Sequence, residues 1–145
     1  MISTRGQYAI RAILDIAEHD NGQPIPLHDI SLRQKISLKY LEIIMRSLNK
    51  GGMITGFSGK GGGYRLSKSL DQYRIGDILR LTEGDQMSIA CIKECESPCP
   101  RISECRTRSM WEKLDSMIED YLDGITIADL IENTKCPESS TKDKN

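Results

Sequence analysis

Apolar residues recur through the first third of the chain at helical spacing. Ala9, Ala12, Ile13, Ile16 and Ala17 fall on one helical face, and Asn21-Gly22 is a turn signal that ends the pattern. A short second helix is predicted from Leu27 to about Gln34, with Leu27 and Ile30 inward. Ser37 is suited to cap a third helix whose apolar stripe is Leu38, Leu41, Met45 and Leu48. Asn49-Lys50-Gly51-Gly52 closes it, with glycine available for the left-handed position after the helix. Two short strands follow, Met53-Ile54-Thr55-Gly56-Phe57 and Tyr64-Arg65-Leu66, joined by Gly59-Lys60-Gly61-Gly62-Gly63, which predicts a hairpin. A short helix is expected around Ile75 to Leu81. Residues 84–104 have no periodicity. A long helix from about Arg106 to Leu122 carries Met110, Trp111, Leu114, Met117, Ile118 and Tyr121. Thr126, with Asp129 three residues on, resembles a capping box for a final short helix.

Three helices followed by a hairpin is the winged helix-turn-helix layout. The fold class is therefore mainly α with a small β-hairpin, extended by a long helix. The chain divides into a winged helix-turn-helix unit at 1–83, a cysteine-rich loop at 84–105 and a long helix plus C-terminal helix at 106–134. A polar tail at 135–145 is expected to be disordered. No internal repeat is present, and 145 residues suffice for a sizeable core. No apolar run is long enough to span a bilayer, and the N-terminus lacks the apolar segment of a signal peptide, so a cytoplasmic location is expected. Structural disulfides are rare there.

The net charge of −1 hides an asymmetry. Residues 1–80 hold 12 Lys/Arg against 7 Asp/Glu, whereas residues 81–145 hold 8 against 14. A basic first half suits a polyanion.

In a helix-turn-helix the second helix of the pair enters the major groove with its N-terminal residues foremost. Here that helix begins at Ser37, and its outward face holds Lys39, Glu42, Ile43, Arg46 and Lys50. Lys39 and Arg46 suit phosphates or guanine edges, and Glu42 can accept from cytosine N4 or repel other sequences. The glycines around Lys60 let the backbone come close to a sugar–phosphate wall, where its amides and the ammonium can donate to phosphate. The loop has no Gly-Lys-Ser/Thr ending and precedes a strand, so it is not a nucleotide-binding loop.

Ser3-Thr4-Arg5-Gly6-Gln7-Tyr8-Ala9, Ile36-Ser37-Leu38-Lys39-Tyr40-Leu41-Glu42 and Gly59-Lys60-Gly61-Gly62-Gly63-Tyr64 together resemble the Rrf-two family of winged-helix transcription regulators. The resemblance is strongest to its iron–sulfur branch, the IscR, NsrR and RirA types, and spans nearly all of residues 1–134. It implies a homodimer paired through the long helix, palindromic double-stranded operator DNA, and a wing inserted in the minor groove. It extends the DNA-binding set to Ser37, Lys39, Tyr40, Glu42, Ile43, Arg46, Ser58, Lys60 and Gly61. Some family members carry an arginine where this chain has Ser58, and Lys60 is its nearest substitute.

The family's cluster ligands are three cysteines at the mouth of the dimer helix. The spacing here is Cys91-x3-Cys95-x3-Cys99-x5-Cys105. Cys99-x5-Cys105 matches the last two ligands and Cys91-x7-Cys99 the first interval, so the resemblance implies an iron–sulfur cluster (2Fe-2S or 4Fe-4S) on Cys91, Cys99 and Cys105. Cluster iron prefers thiolates, and a loop lets several converge. Relatives often place a histidine after the last cysteine. That position is Arg108 here, and a guanidinium cannot ligate iron. The fourth site falls to Cys95, to Gln7 of the partner subunit or to a small exogenous ligand, while Arg101, Arg106 and Arg108 can offset the negative charge. Taken by themselves, the four cysteines also suit structural zinc, a thiol switch or inert reduced thiols. Cys136 stands alone and is expected not to ligate.

His19 and His28 have no metal partner at helical spacing, and Met110, Trp111 and Met117 form a packing seam suited to a dimer interface. No Cys-x-x-Cys pair and no catalytic constellation is visible, which argues against an oxidoreductase or other enzyme, and no small-molecule substrate is expected. The implied function is a transcription regulator sensing iron–sulfur cluster, iron, redox or nitric oxide status. The alternative is a cluster-free winged-helix regulator responding to thiol redox, zinc or a small molecule.

Overall fold

The computed structural model describes residues 2–84 and 103–133. Its elements are α1 (Thr4–Glu18), α2 (Leu27–Gln34), α3 (Leu38–Lys50), β1 (Ile54–Phe57), β2 (Gly63–Leu66), a 3-10 turn (Leu70–Gln72), α4 (Ile75–Glu83), α5 (Arg108–Asp123) and α6 (Ile127–Glu132). Helix α1 lies at the centre, packed against α2, α3, α4 and α6. Its Ala9, Ala12, Ile13 and Ile16 are fully buried, and the two alanines let neighbouring helices approach closely. Around them close Ile30, Ile36, Leu41, Ile44, Met45, Leu48, Ile54, Tyr73, Ile78 and Leu79. Each such aliphatic side chain contributes roughly 1.5–3 kcal/mol by leaving water.

Local signals set the helix ends. The Ser37 hydroxyl accepts from the Tyr40 amide at 3.3 Å and caps α3. At the other end Gly52 takes φ 74, so that the Met53 amide donates to Leu48 O at 3.0 Å and the Gly52 amide to Asn49 O at 3.1 Å. These two bonds satisfy carbonyls that the helix itself leaves open. Thr126 and Asp129 form a reciprocal capping box on α6, at 2.9 and 3.2 Å.

Two expectations need correction, and the hairpin gains a partner. Leu38 is not in the core: it is 45% exposed, and the buried ridge of α3 is Leu41, Ile44, Met45 and Leu48. The long helix starts at Arg108, two residues later than expected. The hairpin also has a third partner. Ile25 bridges Tyr64, with the Ile25 amide on Tyr64 O and the Tyr64 amide on Ile25 O, both at 2.9 Å. The two backbones come so close there that a Cβ on Gly63 would lie 2.2 Å from Ile25 O.

The hairpin pairs Ile54 with Leu66, Thr55 with Arg65, Gly56 with Tyr64 and Phe57 with Gly63. Tyr73 anchors its base: the buried phenol donates to Met53 O and accepts from the amides of Ser67 and Lys68 at 2.9 and 3.1 Å. After α5 the chain returns to the first unit. The Ile75 amide donates to Ile125 O and the Ile127 amide to Tyr73 O, both at 2.9 Å, and Ile127 is fully buried in the common core. No helix among the described residues is long and apolar enough to cross a membrane.

Candidate nucleic-acid interface and cysteine segment

Helices α2 and α3 are joined by Lys35, Ile36 and Ser37. Lys35 adopts φ 55, the left-handed conformation that reverses the chain after α2. Ile36 is buried beneath the turn, and the Ser31 hydroxyl donates to its carbonyl at 2.6 Å. The turn is clamped from α1. Asp15, fully buried, accepts from Arg33 Nη2 at 2.7 Å, Arg33 Nε at 3.0 Å and Gln34 Nε2 at 2.9 Å. Burial pushes the Asp15 carboxyl up, but the bonds from Arg33 and Gln34 outweigh it and hold the group below the usual carboxylate range.

With the helix pair fixed, α3 presents Lys39, Glu42, Ile43, Arg46 and Lys50 to solvent, as expected for its outward face. Ser37 is spent on its cap. Tyr40 is half-buried, edge-on to Tyr8 of α1 with centroids 5.7 Å apart, and Arg11 lies 5.2 Å over the Tyr8 ring. The wing loop carries Ser58, Lys60 and Gly61, all exposed. Lys60 sits in a tight turn closed by the Gly62 amide on Gly59 O at 3.0 Å, with Gly61 at φ 77. Glycine is required at position 62 as well, since a Cβ there would lie 2.4 Å from Phe57 O.

Between α3 and the wing runs an open groove of about 810 Å³. Glu42 and Arg46 line one wall and Ser58 and Gly59 the other. Leu38 and Phe57 also line it, and this explains why Leu38 lies outside the core. The sequence reading missed both of them as groove residues. Lys39, Glu42, Arg46 and Lys60 make no hydrogen bond or ion pair with another described residue.

Cys91, Cys95, Cys99, Arg101 and Cys136 lie outside the described residues, as do most of the predicted loop and the whole predicted tail. Cys105 is described: it is an exposed free thiol just before α5, 3.3 Å from the Thr107 hydroxyl. Bonds from Thr107, helped by Arg108, hold the thiol below its ordinary range. The Arg108 guanidinium is itself engaged with Glu112 at 2.6 Å. Among the described residues no cluster of three metal-ligating side chains occurs. Gln7 is exposed on α1.

The helices that flank the cysteine segment, α4 and α5, are anchored by charged groups. Glu83 ends α4, and its buried carboxylate accepts from the Ser3 amide at 2.8 Å and the Gly6 amide at 3.1 Å. Helix α5 is held to α4 at its far end, where Arg80 Nη2 reaches Asp123 at 2.7 and 2.8 Å. Along α5, Met110, Leu114, Met117, Ile118 and Tyr121 are exposed at helical spacing, and no residue of α5 is buried.

Comparison with known proteins fits this architecture. The family described as "Rrf2: Iron-dependent Transcriptional regulator" matches residues 2–133. The chain is 35% identical over 141 residues to the HTH-type transcriptional regulator IscR of Vibrio campbellii, covering 97% of this chain and 83% of that protein. It is 36% identical over 140 residues to Protein rrf2 of Nitratidesulfovibrio vulgaris, covering 96% and 93%. Among solved structures it is similar to T. potens IscR, with a TM-score of 0.73, 34% identity and coverage of 93% and 88%. It is also similar to CymR (YrzC), the global cysteine regulator of B. subtilis, with a TM-score of 0.76, 27% identity and coverage of 93% and 98%. These relatives are transcription regulators and not enzymes. A winged helix-turn-helix head whose cations face outward and a match over almost the whole chain lead to one assignment: this chain belongs to the Rrf2 family of transcription regulators.

Proposed function

We propose that the chain works as a homodimer on palindromic operator DNA, with affinity set by an iron–sulfur cluster on its cysteine segment. The observation that carries the DNA half is the groove between α3 and the wing, bounded by charged groups that no other described residue neutralises. In this reading α3 enters the major groove, where Lys39 and Arg46 meet phosphate or guanine and Glu42 meets cytosine N4. Ser37, Tyr40, Ile43, Ser58 and Gly61 complete the interface, and Lys60 meets the backbone beside the minor groove. The pairing seam is the exposed apolar face of α5, self-complementary about a two-fold axis.

The donor set fits a cluster. Four cysteines fall within residues 91–105, and the described one is an accessible thiol held toward the thiolate form. Cys91, Cys99 and Cys105 would hold the cluster, with the fourth position taken by Cys95, Gln7 of the partner subunit or an exogenous ligand. When bound, the cluster supplies a centre sensitive to iron supply, redox state and nitric oxide. The protein's own part is mechanical. Its cysteine segment is tied to α1 through Glu83 at one end and to the pairing helix through Cys105 at the other. A change in the segment thereby alters the angle between the seam and the reading heads.

The likeness to CymR and the lowered Cys105 thiol support a second reading, a cluster-free regulator responding to thiol redox. Anaerobic isolation separates the two. Iron and acid-labile sulfide with a visible spectrum that disappears in Cys99→Ser support the cluster. A colourless protein, with or without stoichiometric zinc, supports the second reading.

A further inference from the structure

The outward face of α3 holds one apolar side chain among charged ones. Ile43 is 45% exposed, next to Glu42 and one helical turn from both Lys39 and Arg46. Its position among the cations of the helix that would enter the major groove makes this exposed apolar surface available to an apolar group on the DNA. The other exposed apolar residues nearby, Leu38 and Phe57, line the groove beside the wing, along which a sugar–phosphate wall would pass. Ile43 is not part of that groove lining and shares a helical strip with Lys39 and Arg46, which the proposed complex turns toward the DNA. In the major groove the bases present hydrogen-bonding atoms and only one apolar group, the 5-methyl of thymine.

We propose that Ile43 reads a thymine methyl group in each operator half-site. This inference rests on the DNA-binding reading above and adds the base that one position selects. The thymine would lie between the groups addressed by Lys39 and Arg46, because Ile43 falls between them on one helical strip. A thymine-to-cytosine exchange there would leave Ile43 without its apolar partner.

The test starts from duplexes enriched from a random library by the wild-type dimer. Each thymine is then replaced singly by deoxyuridine, which removes the methyl and nothing else. At one position per half-site the wild-type dimer is expected to bind about fourfold more weakly, the worth of one buried methyl-sized group. Ile43→Ala removes the contact from both half-sites, so it should bind the unsubstituted duplex about fifteenfold more weakly and be indifferent to that replacement. Ile43→Gln should be indifferent too, and both variants should keep wild-type helicity because the site is exposed. Wild-type tolerance of every replacement, or undiminished sensitivity in Ile43→Ala, overturns the inference and leaves the DNA reading intact. If no duplex is enriched, the DNA reading itself fails and the inference with it.

Discussion

Glu83 caps a helix to which it does not belong: its Oε1 lies 2.6 Å from Ser3 Oγ and 2.8 Å from the Ser3 amide, at the start of α1. Helix α1 has no acidic residue in its first turn, and the Ser3 side chain makes no cap of its own. A carboxylate from α4 therefore satisfies the open amides and opposes the positive end of the helix dipole. Gly6 leaves room for it, since a Cβ there would lie 2.4 Å from Glu83 Oε1. Glu83→Ala is expected to destabilise the fold by about 2 kcal/mol, and Glu83→Gln by roughly half as much, because the amide oxygen still accepts. Urea unfolding checks this, and an unchanged midpoint in Glu83→Ala would show that the cap is idle.

Asp15 makes stability depend on acid. Its folded carboxyl is held below the ordinary range, so the stabilisation is present above the unfolded value of about 3.9 and is lost as pH falls through the folded value. Asp15→Asn should cost about 1–3 kcal/mol at neutral pH by weakening the bonds that close the turn before α3. Its stability should then fall less steeply than wild type below about pH 4. Parallel pH–stability curves for the two proteins would contradict the assignment.

These two carboxylates also mark where sequence reading stops. Short-range signals were legible. Ser37, Gly52 and the Thr126–Asp129 box act within four residues, and each forms as its spacing predicts. Asp15 and Glu83 look like ordinary polar helix residues because their partners lie 18 and 80 residues away. The Ile25–Tyr64 bridge is hidden for the same reason, since a one-residue pairing leaves no alternation to detect. Leu38 fits the helical stripe of Leu41, Met45 and Leu48 yet is exposed, while Ile44 is buried, because only packing decides which ridge is covered. The outward cations of α3 and the glycine wing were legible; the groove's apolar lining was not.

The exposed seam of α5 predicts its own disruption. Met117 is 56% exposed in the middle of the apolar face, so in the proposed dimer Met117→Glu would set like charges against each other across the two-fold axis. Sedimentation should show a monomer at concentrations where wild type is dimeric, with the helical content retained. A dimer that survives Met117→Glu places the seam elsewhere.

Lys60 donates to phosphate in the proposed complex. Lys60→Ala should weaken binding to all duplexes alike and reduce the slope of log affinity against log salt by about two per dimer, because each copy then neutralises one phosphate fewer. Weakening confined to one operator sequence would instead make Lys60 a reader of bases.

In the proposed mechanism the cysteine segment governs the grip on DNA. The most direct measurement compares operator affinity for the anaerobically isolated dimer and for its Cys91→Ser, Cys99→Ser, Cys105→Ser variant, at the same salt concentration. The predicted result is at least about a tenfold difference on the selected duplex, equivalent to about 1.4 kcal/mol of coupling, with the dimer intact in both. Equal affinities, with cluster present in one protein and absent from the other, would contradict it.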